Sequence, residues 1–394
     1  MFNFEFGLDT KIAFGAGQVK KLAEVIQAYG KNVLIVCGGG SAKKNGAYDD
    51  VVRVVKGFGG CVTELSGIPS NPTVSKAREG VTICKEKGID AIVAIGGGSV
   101  IDCSKLIAAG AKYNGDCWEL VKNPILIQDA VPVFVVSTVA ASGSDIDFAG
   151  VIKNEETKEK EVFGSPYCSP KYTILDPNYT KSVPKRYTAA GVADMMMHIL
   201  ESYLHREGDS ALCNRMMEAV LKIIVENGEK VMKNPESYEA RANLMWAASL
   251  ATSGIVNFGL SSEGPGGGAA PIHWIEGQIC GFYNTIHGEV LAQVVIPWME
   301  YILCDKNGVQ FAELATNVFG VPQSDDIEAL AKEGISRLKK FFFETMEIPE
   351  KMSSVGVTEE YLPECAKRAA GCPLYGGNVD LTEEDVMNIL KKAL

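Results

Sequence analysis

Histidine is scarce in this chain. Of 394 residues only four are His, at positions 198, 205, 273 and 287. Paired cysteine motifs are missing altogether. The eleven Cys are spread from Cys37 to Cys372 with no C-x-x-C. That gives no zinc ribbon and no disulfide framework, so free thiols in a reducing cytoplasm are expected. There is no basic run, and the formal net charge is −11 with a pI near 5.1. Such a chain is a poor non-specific binder of nucleic acid or anionic lipid, though it can hold one anionic cofactor locally. Internal repeats, low-complexity tracts and a G-x-y period are absent. Met1-Phe2-Asn3-Phe4-Glu5 lacks the basic and apolar regions of an export signal, which again suggests a cytoplasmic protein. Between Arg241 and Glu263 no residue is charged, and that length could span a bilayer. Asn243, Ser249, Thr252, Ser253, Gly254, Asn257 and Ser261 interrupt it, so a buried helix is expected there and no membrane span.

What is present suits two domains. A chain of 394 residues is too long for one ordinary core. Apolar residues at 46% and charged residues at 22% are ordinary globular values. In the first half, short apolar runs (33–36, 61–65, 91–95 and 133–136) alternate with helical patterns at 18–28, 48–56, 74–87 and 100–111. This rhythm indicates a parallel α/β domain. Residues 2–14 read as two short strands around Gly7, and 146–175 as a hairpin excursion with a charged tip at 153–161. From about Pro184 only long helical patterns remain: 187–205, 210–232, 236–258, 271–283, 288–303, 308–317, 325–346 and 382–393. The expected fold is therefore a Rossmann-like α/β domain, residues 1–180, followed by an all-helical domain, residues 181–394.

Gly96-Gly97-Gly98-Ser99 follows one apolar run and precedes a helical pattern. Backbone N–H groups at such a helix start can hold a pyrophosphate, and glycine permits the close approach. The G-x-G-x-x-G fingerprint itself is absent. A second triplet, Gly38-Gly39-Gly40-Ser41, follows the run 33–36. Dinucleotide folds often carry an acid there for the adenosine ribose. Here Lys43 and Lys44 follow instead, which suits a 2′-phosphate and hence NADP(H) rather than NAD(H).

Asp194 and His198 are spaced i, i+4 in an otherwise apolar helical stretch, so both lie on one face. A buried carboxylate there needs a partner. His273 and His287 stand fourteen positions apart, around a helix and a turn that could bring them together. One carboxylate and three imidazoles would suit Fe²⁺ or Zn²⁺. His205, beside Arg206, Glu207 and Asp209, reads as a surface residue. The Met195–Met197 run reads as core packing.

In this order and spacing, the motifs resemble those of the iron-dependent (type III) alcohol dehydrogenase family. The resemblance is carried by residues 68–73, by Gly96 to Asp102, by Thr138 to Asp145, by residues 174–177, by Asp194-x-x-x-His198-x-x-Glu201 and by His273 to Gly288. The Gly38–Ser41 loop with its lysines and residues 243–248 are most similar to the butanol dehydrogenase-like, aldehyde-reducing branch. The resemblance implies that Asp194, His198, His273 and His287 bind the metal. It implies that Gly97, Gly98, Ser99 and Asp102 bind the dinucleotide. Asn71, Thr138, Val139, Ser142 and Lys160 match positions near the adenosine, pyrophosphate and nicotinamide ribose. It further implies an active site in the cleft between the domains, a small aldehyde or alcohol as substrate, and a homodimer. One position departs from the family: a His usually found four residues after the first C-terminal ligand is Gly277 here. No single side chain therefore stands out as the proton donor, and water or a cofactor ribose hydroxyl is expected to serve. Two other readings remain: a lyase resembling dehydroquinate synthase, and a cofactor-binding homologue with weakened catalysis.

Overall fold

The computed structural model describes residues 1–204, 210–260, 270–304, 307–370 and 381–394. His205, Cys372 and the Gly264–Gly268 run lie outside them. Contacts divide the chain into two units. One comprises Gly7–Pro184 with Glu236–Ser249, and the other Met1–Phe6, Lys185–Pro235 and Leu250–Leu394. The main division thus falls at 184/185, and two short segments belong with the unit formed by the other part of the chain.

The first unit holds a six-stranded sheet: β1 (Lys11–Phe14), β2 (Asn32–Cys37), β3 (Cys61–Leu65), β4 (Ala91–Gly96), β5 (Val133–Ser137) and β8 (Tyr172–Leu175). Its order is β1-β8-β5-β4-β2-β3, and every pairing is parallel. A separate antiparallel hairpin, β6 (Ala149–Asn154) with β7 (Glu159–Gly164), forms where the charged tip was expected. Helices α1 (Leu22–Gln27), α2 (Ser41–Lys44), α3 (Ala47–Gly57), α4 (Val74–Lys87), α5 (Gly98–Ala111) and α6 (Cys117–Lys122) connect the strands.

Parallel strands covered on both faces read as unbroken apolar runs, and β4 is buried at every position. Successive side chains feed two cores. Leu34, Val36, Ile92, Ala94, Val133 and Val135 enter one; Val33, Ile35, Ala91, Val93, Phe134 and Val136 enter the other. The chain moves from β2 outward to β3, then from β4 outward to β5 on the opposite side. The direction of crossover therefore reverses between β2 and β4, and ligands bind open α/β sheets at such a switch point.

The helices of the second unit are α7 (Lys185–Leu204), α8 (Ala211–Lys233), α10 (Pro271–Phe282), α11 (His287–Ile302), α12 (Gly308–Glu313), α13 (Ile327–Lys340), α14 (Leu362–Ala370) and α15 (Glu383–Ala393); α9 (Tyr238–Thr252) passes from one unit to the other. Met195, Met196 and Met197 are fully buried, as core packing requires. Gly288 lets α11 cross α7 closely, because a Cβ there would stand 1.9 Å from the Ala190 carbonyl oxygen. No helix among the described residues is long and apolar enough to cross a membrane.

Two expectations need correction. Of residues 2–14 only Lys11–Phe14 forms a strand. The alternating aromatics before it pack on Phe258 instead, with the Phe4 and Phe6 rings at 5.3 and 4.8 Å. The helix α14 was not anticipated. Its Pro363 occupies the first turn, where the fixed φ of proline fits and no N–H is required.

Candidate functional site

Helix α7 presents Asp194, His198 and Glu201 along one face, at i, i+4 and i+7. His273 lies in the first turn of α10, and His287 is the first residue of α11. All three rings aim Nε2 at one oxygen. His198, His273 and His287 Nε2 stand 3.3, 3.6 and 3.5 Å from Asp194 Oδ1. Donors about 2.0–2.2 Å from one tetrahedral ion stand roughly 3.3–3.6 Å from each other. Asp194 Oδ1, His198 Nε2 and His273 Nε2 are buried without hydrogen-bond partners. Buried polar atoms left in that condition are costly, and a divalent cation at their centre would satisfy them together. The N₃O donor set fits Fe²⁺ or Zn²⁺.

The other nitrogen of two rings is held. Glu276 Oε2 lies 2.6 Å from His287 Nδ1, and Glu201 Oε2 bonds His273 Nδ1. Glu201 also accepts the backbone N–H groups of Ile272 at 2.7 Å and His273 at 3.1 Å. Its charge thus closes the start of α10, where a helix attracts anions. Both carboxylates are buried. Carboxylates on Nδ1 fix the tautomer that leaves Nε2 for a cation. Glu201 was noticed in the sequence without a decided role; the structure pairs it with His273. Glu276 was missed, although an acid in so apolar a helix was a signal.

Burial opposes ionisation of Asp194, but the surrounding imidazoles outweigh it and hold the carboxyl well below its usual range. Burial likewise opposes a charged His273, yet Glu201 and Asp194 push it up to about 10. A proton thus occupies this ring when no cation does, and cation binding must displace it.

The first unit gathers the remaining candidates around the β2–β4 switch point. Gly97 and Gly98 start α5, which no side chain caps. Its first N–H groups are therefore available to a phosphate. The 138–142 loop closes over them: a Cβ on Gly98 would stand 2.3 Å from Ser142 Oγ, and one on Gly97 3.1 Å from Val139 Cβ. Thr138 donates its N–H to the Gly96 carbonyl at 2.9 Å. Ser99 donates its hydroxyl to the Ser70 carbonyl at 2.5 Å, which brings Asn71 alongside. Gly38, Gly39 and Ser41 leave the end of the neighbouring strand β2, whose Cys37 pairs with Ile95. Lys160 lies farther along, in the hairpin, opposite Lys153. The backbone of Lys153 donates to the Pro72 carbonyl at 2.8 Å.

Asp102 points inward. It accepts Ser144 Oγ at 2.6 Å and the Val151 N–H at 3.0 Å. Burial pushes its carboxyl up to about 6, with Lys105 and Ser144 pulling the other way. The fully buried Lys105 ties α5 to the segment entering the hairpin. It donates to Ser144 at 2.9 Å, Asp147 at 2.5 Å and the Ala149 carbonyl at 2.6 Å. Sequence reasoning missed this lysine, though a lone cation in an apolar helix marks it.

Residues 9–177 match the family described as iron-containing alcohol dehydrogenase, and residues 188–394 the C-terminal part of the Fe-containing alcohol dehydrogenase family. The chain is 39% identical to NADH-dependent butanol dehydrogenase A of Clostridium acetobutylicum over the whole of both. It is 32% identical to an NADPH-dependent aldehyde reductase of Escherichia coli, covering 97% of each. The crystal structure of NADH-dependent butanol dehydrogenase A from Thermotoga maritima matches with a TM-score of 0.92 at 35% identity, over 100% of this chain and 99% of that one.

Proposed function

The chain belongs to the iron-containing alcohol dehydrogenase family, and on that premise we propose that it reversibly reduces small alkyl aldehydes to primary alcohols, with a nicotinamide dinucleotide, NAD(P)H, as hydride carrier and a divalent ion, Fe²⁺ or Zn²⁺, on Asp194, His198, His273 and His287. The observation that carries this reading is the convergence of three imidazole nitrogens on one buried, otherwise unpartnered Asp194 oxygen. When bound, the ion supplies Lewis acidity toward a carbonyl oxygen and the nicotinamide supplies hydride. The protein's part is positional. Asp194 and the three rings hold the cation; Glu201 and Glu276 aim His273 and His287. Gly97, Gly98 and Ser99 offer backbone N–H groups to the pyrophosphate, with Asn71, Thr138, Val139, Ser142 and Lys160 around them, while Asp102 braces α5 from within through Ser144 and Val151. Gly277 has no side chain to donate the proton that completes reduction, so water reaching the site would have to supply it or the bound cofactor's ribose would.

The preference for NADP(H) rests on Lys43 and Lys44 beside an acid-free Gly38–Ser41 loop. One observation favours NADH instead: Lys43 is already held by Glu64. The dehydroquinate synthase-like reading is not favoured, since the matched families and relatives are alcohol dehydrogenases and an aldehyde reductase. The proposal extends to a cytoplasmic homodimer. No disulfide joins the described cysteines. Met1, Phe2, Phe4, Phe6 and Leu8 are exposed, an apolar segment suited to a second copy.

Aldehyde-dependent oxidation of NADPH and NADH, in metal-loaded and chelated protein, tests the reading. Activity is expected only with metal; equal rates in both preparations would defeat the role of the four donors.

A further inference from the structure

The lysine expected to greet a 2′-phosphate is already engaged. Lys43 Nζ lies 2.6 Å from Glu64 Oε1 and 4.7 Å from the centroid of the Tyr48 ring. The Tyr48 hydroxyl donates to the other carboxylate oxygen, Oε2, at 2.5 Å. Glu64 comes from β3, where it stands opposite Ile35 of β2. Beyond β3 the chain turns back against the glycine loop, with the Gly67 N–H on the Gly38 carbonyl and the Ile68 N–H on the Cys37 carbonyl, both at 3.2 Å. The acid absent from the end of β2 is therefore supplied by the neighbouring strand. Beside it the floor of the loop is open: a Cβ on Gly39 or Gly40 would meet nothing within 4 Å.

We propose that Glu64 is the specificity-determining residue for the choice between NADPH and NADH, restraining NADPH by holding Lys43 and by presenting a second anion to the 2′-phosphate. A phosphate and a carboxylate then compete for one ammonium group, and like charges brought together repel. A ribose with a free 2′-hydroxyl meets no such opposition, because a carboxylate accepts its hydrogen bond. Tyr48 keeps the carboxylate in place by its own hydrogen bond. This inference rests on the nicotinamide reading above and adds a residue that the motif leaves out.

The test is a fluorescence titration of the full-length protein with NADPH and with NADH, followed by kcat/KM for each. Glu64→Gln should raise the NADPH-to-NADH preference about tenfold or more, a difference of about 1.4 kcal/mol, through KM rather than kcat. Glu64→Asp, which keeps the charge, should stay near the parent ratio. In the Glu64→Gln background Lys43→Ala should cancel the gain. A ratio within twofold of the parent in Glu64→Gln, with both cofactors still bound, overturns the role of Glu64 alone. Failure of every protein to bind either cofactor overturns the nicotinamide reading and this inference with it.

Discussion

At the proposed metal centre every donor atom belongs to a side chain, carried on α7, α10 and α11. At the proposed cofactor site beside the β2–β4 switch point the groups on offer are largely backbone N–H groups, and the useful property of Gly97 and Gly98 is what they lack. The first site depends on residue identity and on buried carboxylates behind each ring. The second depends on strand order and on empty space. Substitutions should therefore hurt the two sites in different currencies: metal content at the first, cofactor affinity at the second.

The largest effect should come from His273→Ala. Bound metal falls below stoichiometry by elemental analysis and activity drops by about 10³-fold or more, as loss of a Lewis acid worth several kcal/mol implies. Full metal retention would contradict the ligand assignment. Glu276→Gln should leave the four donors in place but weaken metal affinity by about 10–100-fold. A chelator competition series reads this directly, and an unchanged midpoint would leave Glu276 a packing residue only. Gly98→Ala should do the reverse. Its Cβ would strike Ser142 Oγ at 2.3 Å, and a misfit of about 1–3 kcal/mol corresponds to roughly tenfold or more in cofactor KM. Metal content should not change.

The smallest effect is a pH dependence. Burial pushes the Asp145 carboxyl up to about 6, with a hydrogen bond from Ser249 opposing it. The ordinary value is near 3.8, so the folded state binds the proton more tightly than the unfolded chain. The associated stability is fully present below about pH 3.8 and lost as pH rises through 6. Asp145→Asn should therefore stabilise the protein above pH 6 in urea unfolding and do little near pH 4. The opposite sign would mean that the charged form is the one the fold prefers.

The sheet was legible because its strands are continuous apolar runs between glycines, and the helical half because its periodicity is long. Strand β8 was harder to see. Tyr172–Leu175 is a four-residue strand between β1 and β5, and its role depends on a neighbour distant in sequence. Asp194 and His198 declared themselves by helical spacing. The approach of His273 and His287 depended on how α10 and α11 cross α7, and Gly288 is the only local trace of that crossing. Glu64 was hidden because it sits on β3 and meets Lys43 of α2, a residue distant in sequence. A pattern search along β2 could not find an acid that β3 supplies.

Glu201 closes the start of α10 and aims His273 with a single carboxylate. If the proposed ion sits there, helix fraying and cation release become one linked equilibrium. Whatever loosens the first turn of α10 lowers the affinity for the ion, and whatever removes the ion unfastens that turn. A polar contact that looks like local tidying thus makes the grip on the metal a reporter of how well this part of the chain has folded.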